Sequence, residues 1–147
     1  MKEFVQHNFE IPQGLTTDKF KLRMLTTNDV EKDFDAVSSS IDRLKGFFGP
    51  NSKWPVGITP QKNLKHLEWH QKEFLERKSF AYTVMSLDES VCLGCVYIFP
   101  SRNEKYEADV YMWVRESKKE LDHMLEQTVR EWLAKKWPFK QVLYPNR

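Results

Sequence analysis

At 147 residues, 40% of them hydrophobic and 14% aromatic, the chain has the length of a single domain, 1–147, and enough apolar material to bury its own core; this excludes a disordered tract or a scaffold that depends on disulfides. Its 23 basic and 21 acidic side chains leave a net charge of only +2, too small an excess for a nucleic-acid or anionic-membrane partner. No apolar run approaches the ~18 residues of a membrane span, and Met1–Pro12 lacks the apolar centre of a signal peptide, so a cytoplasmic protein is expected.

Residues 1–18 read as an irregular lead-in. Phe20–Leu25 (FKLRML) then alternates apolar with basic residues, as a half-exposed strand does. Thr26 and Asp29 have the spacing of a capping box, and Val30, Phe34, Val37, Ile41 and Leu44 recur at helical spacing until Gly46. Gly46–Thr59 (GFFGPNSKWPVGIT) gathers glycine, proline and the large aromatics Phe47, Phe48 and Trp54, and reads as a loop anchored by its rings. Thr59 followed by Pro60 marks the start of a second helix, along which Leu64, Leu67, Phe74 and Leu75 predict the buried stripe and which ends near Lys78.

Three strand-like runs follow, Phe80–Met85, Val91–Phe99 and Val110–Arg115. The last two are almost continuously apolar, the pattern of central strands covered on both faces. Ser117 and Glu120 have capping-box spacing again, after which Leu121, Met124, Leu125, Val129, Trp132 and Leu133 mark a helix that Pro138 stops, and Gln141–Tyr144 is a last short strand. The order β-α-α-β-β-β-α-β describes an α/β fold, a mixed central sheet with flanking helices. Its final strand–helix–strand unit should set two strands parallel, and ligands of such units sit beyond the carboxyl ends of the strands, by the helix N-terminus.

Charge pairs such as Glu68 with Lys72 and Glu126 with Arg130 stand four residues apart, the spacing of a solvated helix face. Cys92 and Cys95 form a C-x-x-C, which redox pairs and metal sites share, and His66 with His70 could complete a four-ligand zinc site. Residues three apart on a strand face opposite sides, so the two sulfurs diverge unless Gly94 bends the chain. Buried free thiols and no metal are therefore expected.

Several strings resemble the GNAT acyltransferases, which move acetyl groups from acetyl-CoA to amines. They are Phe20–Asp29 (FKLRMLTTND), Leu67–Phe74 (LEWHQKEF) with Phe80–Val84 (FAYTV), Leu93–Pro100 (LGCVYIFP), Ala108–Arg115 (ADVYMWVR) and Trp132–Arg147 (WLAKKWPFKQVLYPNR). The resemblance implies an acetyl-CoA co-substrate, with the backbone of Met112, Trp113 and Val114 along the pantetheine arm and Ser117, Lys118 and Lys119 near the pyrophosphate. It also implies a small-molecule or peptide amine as acceptor, Asp109 as the base that deprotonates it, and Tyr111, on the same strand face, to orient it. Phe47, Phe48 and Trp54 fall where the family's substrate loop lies, and would wall the acceptor pocket.

Two features depart from the family pattern. Its pyrophosphate loop reads Arg or Gln, two residues, Gly, one residue, then Gly or Ala; here the run is Arg115, Glu116, Ser117, Lys118, Lys119, Glu120, and no glycine follows Gly94. Glycines there let backbone N–H groups approach the phosphates closely. Relatives also continue past the last strand into a helix and hairpin whose tyrosine protonates the leaving thiolate; Tyr144 is the candidate substitute, or an ordinary packed tyrosine. The alternative to an enzyme is a catalytically silent module of the same fold that holds a small ligand or protein in the same cleft, and a cleft filled by side chains would favour it. A homodimer completing the last sheet edge is a further expectation.

Overall fold

The computed structural model describes residues 3–147. Six strands form one sheet in the order β1-β2-β3-β4-β5-β6: Gly14–Thr16 (β1), Lys21–Met24 (β2), Phe80–Met85 (β3), Cys92–Pro100 (β4), Ala108–Val114 (β5) and Val142–Leu143 (β6). Neighbours are antiparallel except β5 and β6, which run parallel, as the crossover predicted. Helices α1 (Val30–Ser38), α2 (Ile41–Leu44) and α3 (Pro60–Leu75) precede β3, and α4 (Asp122–Lys136) links β5 to β6.

The two sheet faces carry separate apolar cores. On one, Val96, Ile98, Val110, Met112 and Val114 meet Leu125, Val129 and Leu133 of α4. On the other, Cys95, Tyr97 and Trp113 meet Ala36 and Val37 of α1 and Leu67 of α3. Both β4 and β5 are covered on both faces, as their continuous hydrophobicity requires.

Four local expectations are corrected. The lead-in, whose Met1 and Lys2 lie outside the described residues, contains strand β1; a Cβ on Gly14 would stand 1.9 Å from the Leu22 carbonyl oxygen, so only glycine lets the two backbones come together there. The first helix stops at Ser38 rather than Gly46, because Ser39 turns its hydroxyl back onto the Ala36 carbonyl (3.1 Å) and Ser40 leaves helical geometry. In α3 the buried stripe is Asn63 and Leu67 with Phe74 half-buried, while Leu64 and Leu75 are exposed: the sheet side follows the 63–67–74 line, one position round the helix from the predicted one. Ser117 and Glu120 form no capping box, since the Ser117 hydroxyl accepts from Arg115 Nε (3.0 Å), Lys118 is non-helical, and a 3₁₀ segment, Glu116–Leu121, precedes α4.

Strand β4 carries a bulge. Val84 pairs with Gly94 and Met85 with Cys92, leaving Leu93 without a partner on β3. The extra residue reverses the alternation, so Cys92 and Cys95 both face the α1 side while Leu93 faces α4. The sulfurs thus share a face, contrary to strand parity, yet both cysteines are free and buried. Burial pushes the Cys92 thiol up to about 12 and raises the Cys95 thiol well above its ordinary value, which keeps both as inert thiols. Among the described residues no group of three His, Cys, Asp or Glu side chains could hold a metal ion.

A Cβ on Gly94 would lie 2.0 Å from the Trp113 carbonyl oxygen, a backbone atom that cannot give way. Gly94→Ala is therefore expected to lose about 3 kcal/mol of stability, seen as a lower midpoint in urea unfolding. An unchanged midpoint would mean that the β4–β5 approach is looser than described.

Candidate functional site

The last strand pairs with β5 for only two residues, Ala108 with Val142 and Asp109 with Leu143. Beyond Asp109 the strands part, and among the described residues the β5 edge from Val110 to Val114 has no strand partner on that side. Asp109 stands at the fork. Its Oδ1 is buried and makes no hydrogen bond among the described residues, so an acceptor waits there for a donor. Tyr111 shares its sheet face, and burial and the Asp109 charge both raise the tyrosine pKa.

The aromatic loop packs onto this face. The Tyr111 ring lies 5.8 Å from Phe47 and 5.1 Å from Phe48 between centroids, and Phe48 is 5.1 Å from Trp54. The structure therefore brings the predicted base, its neighbouring tyrosine and the three loop aromatics together. Tyr144 is placed elsewhere: it packs on the α4 side under the Arg130 guanidinium, 4.0 Å above its ring, on the opposite side of the sheet from Tyr111. Trp113 is not part of the open edge, contrary to expectation: its carbonyl faces Gly94 of β4, and its buried indole N–H donates to the Tyr97 hydroxyl (3.0 Å).

Two guanidinium groups line the open edge of β5. Arg147 donates to the Met112 carbonyl (2.8 Å) and also binds Asp122 (2.5 Å) and Glu126 (3.1 Å), with its side chain only 12% exposed. Arg43 donates to the Val114 carbonyl (3.0 Å). The cleft is thus filled by side chains in this conformation. Neither arginine was singled out from sequence, because nothing local marks a residue that caps a strand edge from far along the chain.

The turn after β5 is held from inside. Arg115, nearly buried, reaches Ser117, the Cys92 carbonyl, Ser39 and Asp35. The Glu116 N–H is taken by the Ser40 hydroxyl (2.9 Å). Lys118 and Lys119 are exposed and make no ion pair among the described residues, so their charges are free.

A cavity of about 320 Å³ opens on the same sheet face, between α3, the aromatic loop and β4. Phe48 and Trp54 line it with Tyr97 and Phe99; Phe47 stands behind them. Asp33 of α1 also lines it, 4% exposed, with Oδ2 accepting from Asn63 Nδ2 (2.9 Å). Burial raises the Asp33 pKa to about 6 against the opposing Asn63 hydrogen bond. His70, lowered to about 4 by burial and by His66, is neutral at physiological pH, and its buried Nδ1 has no partner among the described residues. The sequence carried a signal for Asp33 and Asn63: each polar residue sits four positions from a core residue, Val37 and Leu67, on the buried line of its helix.

No family model matches the sequence, and no curated protein matches it. Solved structures do match. A ribosomal-protein-S5-alanine acetyltransferase from Vibrio fischeri superposes with a TM-score of 0.65 at 12% identity, over 83% of this chain and 67% of that one. The ribosomal-protein α-N-acetyltransferase RimL, in complex with coenzyme A, gives 0.63 at 15% identity over 80% and 66%. A putative GNAT-family acetyltransferase from Bordetella pertussis gives 0.56 at 11% identity over 82% and 74%. The chain has the GNAT fold. It spans about two thirds of the length of the first two of these acetyltransferases. As for other partners, no helix among the described residues is long and apolar enough to cross a membrane.

An ionised carboxylate as buried as Asp33 opposes folding. Its folded pKa lies above the ordinary 3.8, so the stability it allows is complete below that value and declines as pH rises through about 6. Asp33→Asn is expected to stabilise the protein at about pH 7, by at most roughly 3 kcal/mol, with the gain vanishing near pH 4. Thermal melts at the two pH values check this; a variant less stable than the parent at neutral pH would contradict the assignment.

Proposed function

We propose that this protein is an N-acetyltransferase that transfers an acetyl group from acetyl-CoA to an amine, carried by a small molecule or a peptide. The observation that carries the reading is the fork at Asp109, where β5 is left with an unpaired edge beside a buried carboxylate oxygen without a donor. Support comes from the fold, shared with acetyltransferases of which RimL is complexed with coenzyme A.

The residues at the fork fit acetyl-CoA as an extended ligand with an anionic end. The Met112 and Val114 carbonyls already accept side-chain donors, so they suit the amide N–H groups of a pantetheine arm. Lys118 and Lys119 offer free cations where a pyrophosphate would lie, in place of a glycine cradle. When bound, acetyl-CoA supplies an acyl group already activated as a thioester. The protein's own part is acid–base and steric. Asp109 Oδ1 accepts a proton from the incoming ammonium and leaves a neutral amine to attack; Tyr111 orients that amine, and Phe47, Phe48 and Trp54 shield the face from water.

Arg147 must leave its place on Met112 for this ligand to enter. That same guanidinium is the observation favouring the second reading, a catalytically silent module of the same fold that holds a different small ligand or a protein in this cleft. Calorimetric titration separates the two. Acetyl-CoA is expected to bind the parent protein, and Arg147→Ala to bind it several-fold more tightly because the edge no longer has to be vacated; failure of both proteins to bind at millimolar ligand would overturn the reading. Asp109→Asn is expected to bind acetyl-CoA as the parent does but to lose about 10²-fold or more in thiol release across a panel of amines and N-terminal peptides. Full turnover by that variant would remove Asp109 as the base.

A further inference from the structure

Asp33 has no role in the chemistry at the fork and, ionised, it weakens the fold. Its Oδ2 is held by Asn63, whereas Oδ1 makes no hydrogen bond and no cation pairs with the carboxylate among the described residues. A buried, uncompensated carboxylate is among the costlier features a core can retain. It faces a cavity of about 320 Å³, within the range of small-molecule sites.

Among the described residues no cation pairs with it; Arg115 of the turn after β5, the guanidinium near Cys92, is taken by Asp35. From its own side Asp29 adds negative field, itself tied to Arg23. From α3 come the neutral amide of Asn63 and His66 and His70, both held down by burial. From β4 come Cys92, Cys95 and Tyr97, all held in their neutral forms. The walls are aromatic: Tyr97 and Phe99 stack with centroids 6.0 Å apart, and Phe48 stands 5.3 Å from Tyr97 and 5.1 Å from Trp54.

We propose that this cavity binds a primary ammonium ion carried on an apolar stem. The ammonium has an N–H donor for Asp33 Oδ1 and a charge for the carboxylate, and the stem lies against Trp54, Phe48, Tyr97 and Phe99, which attract cations as well as apolar groups. Phe48 is shared with the wall beside Tyr111, but the site stands on its own residues and requires no acetyl transfer.

The test uses the whole protein without acetyl-CoA. Trp54 and Trp69 line the cavity, so their emission reports occupancy. Hexylammonium is titrated against hexanol, its uncharged counterpart. Saturable binding of the amine, at least about tenfold tighter than the alcohol, is expected. Asp33→Asn should abolish the preference while melting no lower than the parent. The parent alone gives an independent readout: the carboxylate must be ionised to bind, so amine affinity should hold above about pH 6 and fall about tenfold for each unit below it, while alcohol affinity stays level. Equal binding of amine and alcohol, no saturable binding, or an amine affinity unaffected by both the variant and the acid limb would overturn the proposal.

Discussion

Two residue pairs set the form of the β5 edge. Because β6 stays with β5 only for Ala108–Val142 and Asp109–Leu143, a parallel strand that would otherwise satisfy the whole β5 edge leaves it exposed from Val110 onward. An unpaired sheet edge in a nearly dry setting must find donors elsewhere. Here it finds Arg43 and Arg147, which arrive from α2 and from the segment after β6 and share Asp122 as their counter-ion. The fork, the guanidinium groups that occupy it and the carboxylate at its base are consequences of one short pairing.

The bulge at Leu93 plays a comparable part on the other face. By shifting the register between Val84 and Met85 it turns Cys92 inward beside Cys95. Arg115 then finds the Cys92 carbonyl within reach and ties the end of β5 to α1 through Ser39 and Asp35. The turn that follows is held by side chains, and no glycine lies in it. Its long charged residues are exposed to solvent.

Much of this was legible in the sequence. Continuous apolar runs located β4 and β5 as central strands, Thr59–Pro60 located the start of α3, and the Leu125–Leu133 periodicity located α4, because each pattern reports burial directly. Strand parity joins Asp109 to Tyr111 on one face, whereas only the family resemblance placed the aromatic loop beside them. What escaped depended on contacts distant in the chain or on single-residue irregularities. A bulge inverts parity without altering composition, Ser39 breaks a helix through a hydroxyl that could equally have faced water, and Arg147 reaches Met112 from 35 positions away. Asp33 was overlooked because an acidic residue on a short helix reads as surface until its neighbours at Val37 and Leu67 are known to be buried.

On the proposed function, the open β5 edge and the turn after it form a ligand cleft that Arg147 occupies in the free protein. Backbone amide resonances followed during titration with acetyl-CoA should then shift chiefly at Val110–Val114 and Glu116–Lys119, together with Arg147. Shifts confined to other surfaces, or none at saturating ligand, would contradict it.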